Sequence, residues 1–256
     1  GLQADFIFRV GIQQDQASRE KRGPFGNAHA SLSRLVSLSL LGLIAIGYLL
    51  LRPQPAMERF STGRGEQLAI LLPDSSEVLL NHTSAISFDR TAFGHQRSIT
   101  LTGEAFVKVR KTGSPFSVHT PLASVFVVGT EFNVRVREDG YEVGVLEGTV
   151  RVNALRNDAS VTVREGERVA GTGGDTPDRP SRIDQSQYPG WMVGKLIFDR
   201  MALEELCREI EDRFDVRICI DDPEMRKMRL TGAIEAKDAR TALSTCRGLT
   251  SPGMGA

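Results

Sequence analysis

Apolar and polar side chains alternate in short runs between residues 66 and 170, the period-two pattern of half-buried β-strands. In the run 131–137, Phe132, Val134 and Val136 are expected to face a core. The intervening polar side chains are expected to face outward, namely Glu131, Asn133, Arg135 and Arg137. Because no long helical pattern interrupts these runs, they predict an all-β unit over residues 56–170, folded as a sandwich, a roll or a short solenoid.

Gly, Pro and Asp residues, which favour turns, separate the runs that we interpret as strands. Their short length and regular spacing are typical of all-β units. In chain order the predicted strands cover residues 70–72, 78–80, 98–101, 105–109, 116–118, 124–128, 131–137, 141–148, 149–152 and 161–163.

The pattern changes after residues 171–190, a stretch rich in Gly, Pro and Asp that we interpret as a linker. Residues 195–198 predict a strand, and Asp199 is expected to cap the helix that follows. The apolar face of this helix carries five residues: Leu203, Leu206, Cys207, Ile210 and Phe214.

Residues 216–220 and 228–234 predict two more strands, and residues 238–246 predict the start of a second helix. Strand, helix and strand, followed by strand and helix, indicate a small α+β module over residues 191–256. The chain is therefore predicted to be mainly β, with this module behind the all-β unit.

Residues 35–51 carry no charged side chain and lie between Arg34 and Arg52. At about 1.5 Å per residue, a helix of this length just reaches across a thin hydrocarbon core, and Pro53 ends it. A buried core helix would show a polar stripe, and a cleaved signal peptide would be followed by small residues at its cleavage site. The segment shows neither feature, so we predict a single transmembrane helix.

Basic residues around the predicted span set its expected orientation. They precede it at Arg19, Lys21, Arg22 and Arg34, and follow it at Arg52, Arg59 and Arg64. The slight excess before the span predicts a cytoplasmic N-terminus. Residues 1–34 are then a short cytoplasmic stub, and most of the chain lies on the other side of the membrane.

The charge balance excludes one class of function, since 32 basic and 32 acidic side chains leave no surplus for binding nucleic acid. The three cysteines and four histidines show no metal-ligand spacing. No nucleophile or phosphate-binding motif occurs either. We therefore predict no catalytic, cofactor-binding or metal site, and a protein that is not an enzyme.

Some isolated residues still invite a chemical interpretation. Glu104, Glu131 and Glu147 would suit a glycan hydrolase, but each lies beside a turn glycine or on an outward strand position, where a solvated carboxylate is expected. Cys207 is expected to be a small buried hydrophobic residue. A disulfide between Cys207 and Cys219 stays an open alternative.

Seven segments, read in order, form a specific signature. They are LPDSSEVLLN (72–81), LTGEAFVKV (101–109), PFSVHT (115–120), VVGTEFNVRV (127–136), VLEGTVRV (145–152), REGERVA (164–170) and a final segment from Trp191 to Phe214 that contains GKLIFDRMALEELCREIEDRF. The series resembles the FecR family. Its members are transmembrane regulators that receive a signal from an outer-membrane iron–siderophore receptor and control an extracytoplasmic-function sigma factor.

The resemblance spans about residues 60–245. It implies an anti-sigma type regulator in the bacterial inner membrane, with the bulk of the chain periplasmic. It also implies that the C-terminal module is similar to the short N-terminal domain of secretins and TonB-dependent receptors. Expected partners are the periplasmic signalling domain of such a receptor, a sigma factor and the membrane. The alternative is a periplasmic scaffold or glycan-binding β module, against which an aromatic content of only 6% argues.

Two sets of residues follow from this resemblance. The first is a fold signature: Gly103, Glu104, Phe106, Gly129, Thr130, Phe132, Asn133 and Gly148. Its glycines are expected to supply backbone conformations closed to other residues, and Thr130 and Asn133 to make local turn hydrogen bonds. The second set lies on predicted strand edges, which suit docking of another domain: Val216, Arg217, Ile218, Cys219, Arg229, Leu230 and Thr231.

The chain departs from the family pattern at three places. Ser75 stands where the family usually has Gly in an LPDGS turn. Residues 1–34 contain no Trp and are shorter than the family's sigma-binding domain. After Cys246 the sequence loses the resemblance, so the C-terminal module is expected to be incomplete.

Overall fold

The structure is a computed structural model that describes residues 39–48, 56–137, 140–157, 159–172, 176–235 and 237–250. The chain divides into two compact units, Gly1–Gln54 and Pro55–Ala256. In the first unit, residues 39–48 form helix α1, whose apolar side chains are mostly exposed. The rest of the predicted span 35–51, like the stub 1–34, lies outside the described residues. Within the described ranges, no helix is both long and apolar enough to cross a membrane.

The second unit begins with a β domain of two seven-stranded sheets. Its strands are β1 (Met57–Ser61), β2 (Leu68–Leu71), β3 (Glu77–Leu80), β4 (Ala85–Asp89), β5 (Arg97–Thr102), β6 (Glu104–Lys108), β7 (Phe116–His119), β8 (Ala123–Val127), β9 (Glu131–Arg137), β10 (Gly140–Glu147), β11 (Thr149–Ala154), β12 (Ser160–Arg164), β13 (Glu167–Thr172) and β14 (Ser181–Arg182). Sheet A has the order β1-β4-β5-β7-β8-β11-β12, and sheet B the order β14-β13-β10-β9-β6-β3-β2. The β5–β7 pair is parallel.

One hydrophobic core lies in the β domain and takes side chains from both sheets. The inward positions of β9 are Phe132, Val134 and Val136, and all three are buried as the alternation predicts. The rings of Phe93 and Phe116 are fully enclosed and meet edge to face. The prediction of a mainly β protein is therefore confirmed.

The C-terminal module follows a 3₁₀ turn at Gly190–Val193. Its elements are β15 (Lys195–Ala202), α2 (Leu203–Phe214), α3 (Pro223–Arg226), β16 (Arg229–Glu235) and α4 (Ala239–Thr250). The strands β15 and β16 form a two-stranded antiparallel sheet, and α2 packs its apolar face on it. The core of the module contains Leu196, Phe198, Leu206, Ile210 and Ile234.

The predicted strand at 216–220 is wrong, because this segment is not part of any sheet in the described chain. Side chains take the place of a neighbouring strand along one of its edges. The N–H of Ile218 donates to Glu211 Oε1 at 2.6 Å, and the carbonyl of Ile220 accepts from Arg226 Nη2 at 2.9 Å. A segment with strand-like composition forms a sheet only where a second strand is present.

The predicted helix cap at Asp199 is also wrong. Strand β15 continues to Ala202 through an irregularity between Phe198 and Met201, so α2 begins only at Leu203. The Asp199 carboxylate instead accepts a hydrogen bond from the hydroxyl of Thr231 at 3.2 Å. The second predicted helix is present as α4, and Asp238 accepts from its backbone at Thr241.

Strands β1 and β4 pair with each other and have no counterpart among the predicted strands. Strand β1 is missed because its sequence, MERFS, is mostly polar and only half buried. Part of the predicted linker 171–190 also joins the β domain, since β13 runs to Thr172 and β14 pairs with it.

Ser75 adopts a left-handed conformation, with φ of 65°, in the turn between β2 and β3. This conformation costs a non-glycine residue roughly 1–2 kcal/mol. Glycine avoids that cost, but the greater entropy of its unfolded chain lowers stability by about 0.4–1 kcal/mol. We therefore expect Ser75→Gly to raise the free energy of unfolding by about 0.5–1 kcal/mol, measured by urea denaturation. Ser75→Ala keeps the strain and is the control. Equal stability of the two variants would contradict the expectation.

Candidate functional site: the interface between the β domain and the C-terminal module

The C-terminal module covers part of the outer face of sheet B. Glu104 on β6 lies opposite Arg135 on β9, and Glu142 on β10 lies opposite Arg135 on the other side. Asn133 is 1% exposed and Glu104 is 6% exposed, although both point away from the core of the β domain. Asn133 faces outward as predicted, but the prediction of a solvated Glu104 is wrong, because a second layer of structure lies on this face.

A chain of hydrogen bonds crosses the interface at its centre. The side-chain amides of Asn81 and Asn133 donate to Glu104 at 3.0 Å and 2.8 Å. Trp191 Nε1 in turn donates to Asn133 Oδ1 at 3.1 Å, which links the 3₁₀ turn to the sheet. Burial raises the pKa of Glu104, and the charges of nearby arginines oppose that rise. Asn133 therefore makes long-range contacts and not the local turn hydrogen bonds that were expected.

Two arginines of β9 hold one carboxylate of α2. Arg135 Nη2 and Arg137 Nε both donate to Glu209 Oε1 at 2.8 Å. Burial alone would raise the pKa of Glu209, but the positive charges of Arg135 and Arg137 outweigh it and lower the pKa to about 2. Glu209 is therefore ionised over the whole physiological range and is the main electrostatic contact between the two parts.

A second polar cluster lies where the predicted linker crosses sheet B. Glu142 accepts from Arg168 Nη1 at 2.6 Å and from the Tyr188 hydroxyl at 3.1 Å. The Tyr188 ring occupies the space where a side chain at position 144 would lie, so Gly144 is required for this packing. Tyr188 and Trp191 together anchor the segment that precedes β15.

The turn between β3 and β4 contributes His82, which is buried at this interface. Burial lowers the pKa of His82; the charges of Arg137 and Arg213 add to this effect, whereas those of Glu209 and Asp212 oppose it. Its Nδ1 atom has no hydrogen-bond partner within the described part of the chain.

The remaining fold-signature residues shape strands and turns of the β domain. Gly103 has φ of 88°, and a Cβ there would overlap Ser84. Gly129 has no left-handed backbone, contrary to expectation; its missing side chain makes room for Lys111. Thr130 Oγ1 donates to the distant carbonyl of Thr149 at 3.2 Å, so its expected local turn bond is also wrong. Three further members are Phe132, buried in the core; Phe106, half-buried on the outer face; and Gly148, with φ of 94°.

The predicted partner-binding residues lie in the C-terminal module, on two separate segments. Val216, Ile218 and Leu230 pack against the module's core. Arg217 and Cys219 are exposed on the segment 216–220, and Arg229 and Thr231 are exposed on β16. The structure therefore leaves four of these seven side chains accessible.

The cysteines show no disulfide. Cys207 and Cys246 are buried, and Cys219 is exposed. The expectation of a buried Cys207 is confirmed, and burial raises its pKa to about 11. In the described ranges, no cluster of His, Cys, Asp and Glu has the geometry to hold a metal ion.

The residues that connect the two parts were not singled out from the sequence. These are His82, Arg135, Arg137, Trp191 and Glu209. Trp191 is the one residue that the sequence pointed to. A sole tryptophan directly after a Gly- and Pro-rich segment is expected to pack on another part of the protein. The sequence contains no such indication for the charged residues, because the solvent-exposed faces of strands and helices carry the same types of residue as a polar interface.

Comparison with known proteins matches both parts of the compact unit. A family model described as FecR protein matches residues 58–151, and one described as FecR, C-terminal matches residues 195–245. Together they cover more than half of the chain. No curated protein matches the chain.

Solved structures with the same fold come from Parabacteroides distasonis ATCC 8503, where the protein is described as a candidate anti-sigma factor. One crystal structure has a TM-score of 0.68 and 23% identity, and the match covers 75% of this chain and 92% of that chain. A second has a TM-score of 0.66 and 23% identity, with 76% and 92% covered. The relatives therefore contain both the β domain and the module. With two family models matched in order on these two parts, the chain belongs to the FecR family.

Proposed function

We propose that the chain is a membrane-anchored regulator of anti-sigma type. In this proposal it relays the occupancy of an outer-membrane iron–siderophore receptor to an extracytoplasmic-function sigma factor, by binding and without catalysis. Membership of the FecR family carries the proposal. The description of its structural relatives as candidate anti-sigma factors points in the same direction. The membrane anchor at 35–51 and the cytoplasmic N-terminus are parts of the proposal.

The C-terminal module is the proposed receiver of the receptor's signalling domain. One edge of β16 pairs with β15, and the other edge has no strand beside it among the described residues. On the segment 216–220, the backbone N–H and C=O groups of Arg217 and Cys219 make no hydrogen bond in the described chain. Free backbone groups on an extended segment accept an added strand from another domain.

A groove of about 440 Å³ lies between α2 and this segment. Cys219 lines it, and so do Glu204, Arg208 and Glu211 of α2. Glu211 is also the residue that holds the N–H of Ile218. A strand docked along the free backbone groups of Arg217 and Cys219 would lie on the edge of the segment opposite Glu211, because the backbone groups of neighbouring residues in an extended chain point to opposite sides.

Cys219 gives a direct test of this surface. It is the accessible thiol of the described module, because Cys207 and Cys246 are buried and burial raises the pKa of both. Residues 55–256, which form one compact unit, are titrated with the isolated periplasmic signalling domain of a TonB-dependent receptor in a calorimeter. We expect binding, and at least a tenfold loss of affinity after Cys219 is labelled with a bulky maleimide.

Cys219→Ser is the matched control, since it should bind with or without prior treatment by the reagent. Absence of binding by the folded, unlabelled protein would contradict the relay. Binding that is unchanged by the label would instead show that the partner docks away from the segment 216–220.

A further inference from the structure

The contact between the C-terminal module and the β domain is built from polar and charged groups. Glu209 bonds to Arg135 and Arg137, and Asp212 forms an ion pair with Arg64 at 3.1 Å. The backbone also takes part, because Gly65 N–H donates to the carbonyl of Asp212 at 2.7 Å. Polar contacts between parts of one chain resemble transient protein–protein interfaces and permit relative motion. Each of these groups can exchange its partner for water when the parts separate.

His82 lies under α2 in this contact, with 3% of its surface exposed. The charged groups that face it are Glu209, Asp212 and Arg213 from α2 and Arg137 from β9. Both carboxylates are already paired with arginines. Since Nδ1 has no partner in the described structure, a proton added to the ring would find no free acceptor.

We propose that the contact between the C-terminal module and the β domain is a releasable latch, and that protonation of His82 releases it. The neutral imidazole fits the closed latch, where two arginines and two committed carboxylates surround it. The imidazolium is better solvated in water than in this buried position, so it favours the open arrangement. The latch is a property of the fold and does not depend on the proposed relay.

The sign of the effect follows from linkage. Burial lowers the pKa of His82 below its ordinary value of 6.5, so the open form binds a proton more readily than the closed form. The latch is fully stable above pH 6.5 and weakens as the pH falls below it. Its opening constant rises by up to tenfold per pH unit until the pKa of the closed form is reached. Glu104 has the opposite sign, because burial raises its pKa and acid then favours the closed form.

Trp191 reports the state of the latch, since it is the sole tryptophan and its indole N–H bonds to Asn133 across the contact. The full chain in detergent micelles is titrated from pH 8 to pH 5, and quenching of its fluorescence by acrylamide is recorded. We expect the quenching constant to rise severalfold on acidification in the wild type. In His82→Gln, whose side chain stays neutral, it should be flat over the same range. Glu104→Gln is the control and should keep the rise.

Hydrogen exchange on the wild-type chain tests the same proposal without a variant. Between pH 7.5 and pH 5, after correction for the intrinsic rate, exchange should accelerate in α2 and in residues 81–84 while the core strands β5 and β8 stay protected. Equal protection at both pH values would overturn the latch, and so would a loss of protection in every strand. An unchanged rise of Trp191 quenching in a folded His82→Gln variant would overturn the role of His82.

Discussion

Arg97→Met is expected to lower the free energy of unfolding by about 4 kcal/mol, which is the largest single effect that we predict. The Arg97 guanidinium is almost fully buried and forms an ion pair with Asp74 at 2.6 Å. It also donates to Thr112 Oγ1 at 2.8 Å and to the carbonyls of Ser114 and Arg110 at 2.7 Å and 2.9 Å. Methionine fills the space but leaves the two carbonyls without this donor. It also removes the positive charge that pairs with Asp74, whose carboxylate keeps only the hydrogen bonds from Ser76.

Urea denaturation followed by circular dichroism measures this loss. Arg90→Met is the matched control, because Arg90 pairs with Glu58 on the surface and should contribute under about 1 kcal/mol. Arg97→Met and Asp74→Asn remove the same ion pair, so the double variant should lose less stability than the two single losses added together. A loss of under 1 kcal/mol in Arg97→Met would show that water replaces the guanidinium in these contacts.

Much of the fold could be predicted from the sequence because its patterns are local. The alternation in 131–137 places Phe132 and Val134 in the core, and those positions are buried. The spacing of Leu206 and Ile210 likewise predicts the face of α2 that packs on β15. The period of the apolar residues indicates which side of a strand or helix faces the core, and a segment of a few residues is enough to show it.

The candidate site could not be predicted in this way, because its contacts join distant parts of the chain. Glu104 and Asn133 look like surface residues of a sheet, but both are buried, and Trp191, much later in the chain, bonds to Asn133. The segment 216–220 shows the converse, since its composition suits a strand but no strand lies beside it in the described chain. The alternation of apolar and polar residues predicts which face of a strand a residue occupies, but it does not predict which element packs on that face.

Glu209→Gln is expected to weaken the contact between the module and the β domain by about 3 kcal/mol. The amide keeps the size of the side chain but removes the charge that pairs with Arg137 and leaves Arg135 with only its longer ion pair to Glu205 at 3.6 Å. Urea denaturation followed by the fluorescence of Trp191 should therefore show a lower midpoint. Glu204→Gln is the matched control on the same helix. Its exposed ion pair with Arg208 should contribute about 0.5 kcal/mol or less.

The pH dependence of the stability difference between the wild type and Glu209→Gln shows whether the loss comes from the missing charge or from disturbed packing. The pKa of Glu209 is lowered to about 2 in the folded chain from an ordinary value of 4.5. Its stabilisation is therefore complete above pH 4.5 and disappears as the pH falls towards 2. The stability gap between the wild type and Glu209→Gln should be constant above pH 6.5, where His82 is neutral in both variants, and shrink between pH 4.5 and pH 2. A gap that persists at pH 2 would mean that glutamine disturbs the packing of α2. A gap that closes would show that the charge on Glu209 stabilises the contact between the C-terminal module and the β domain.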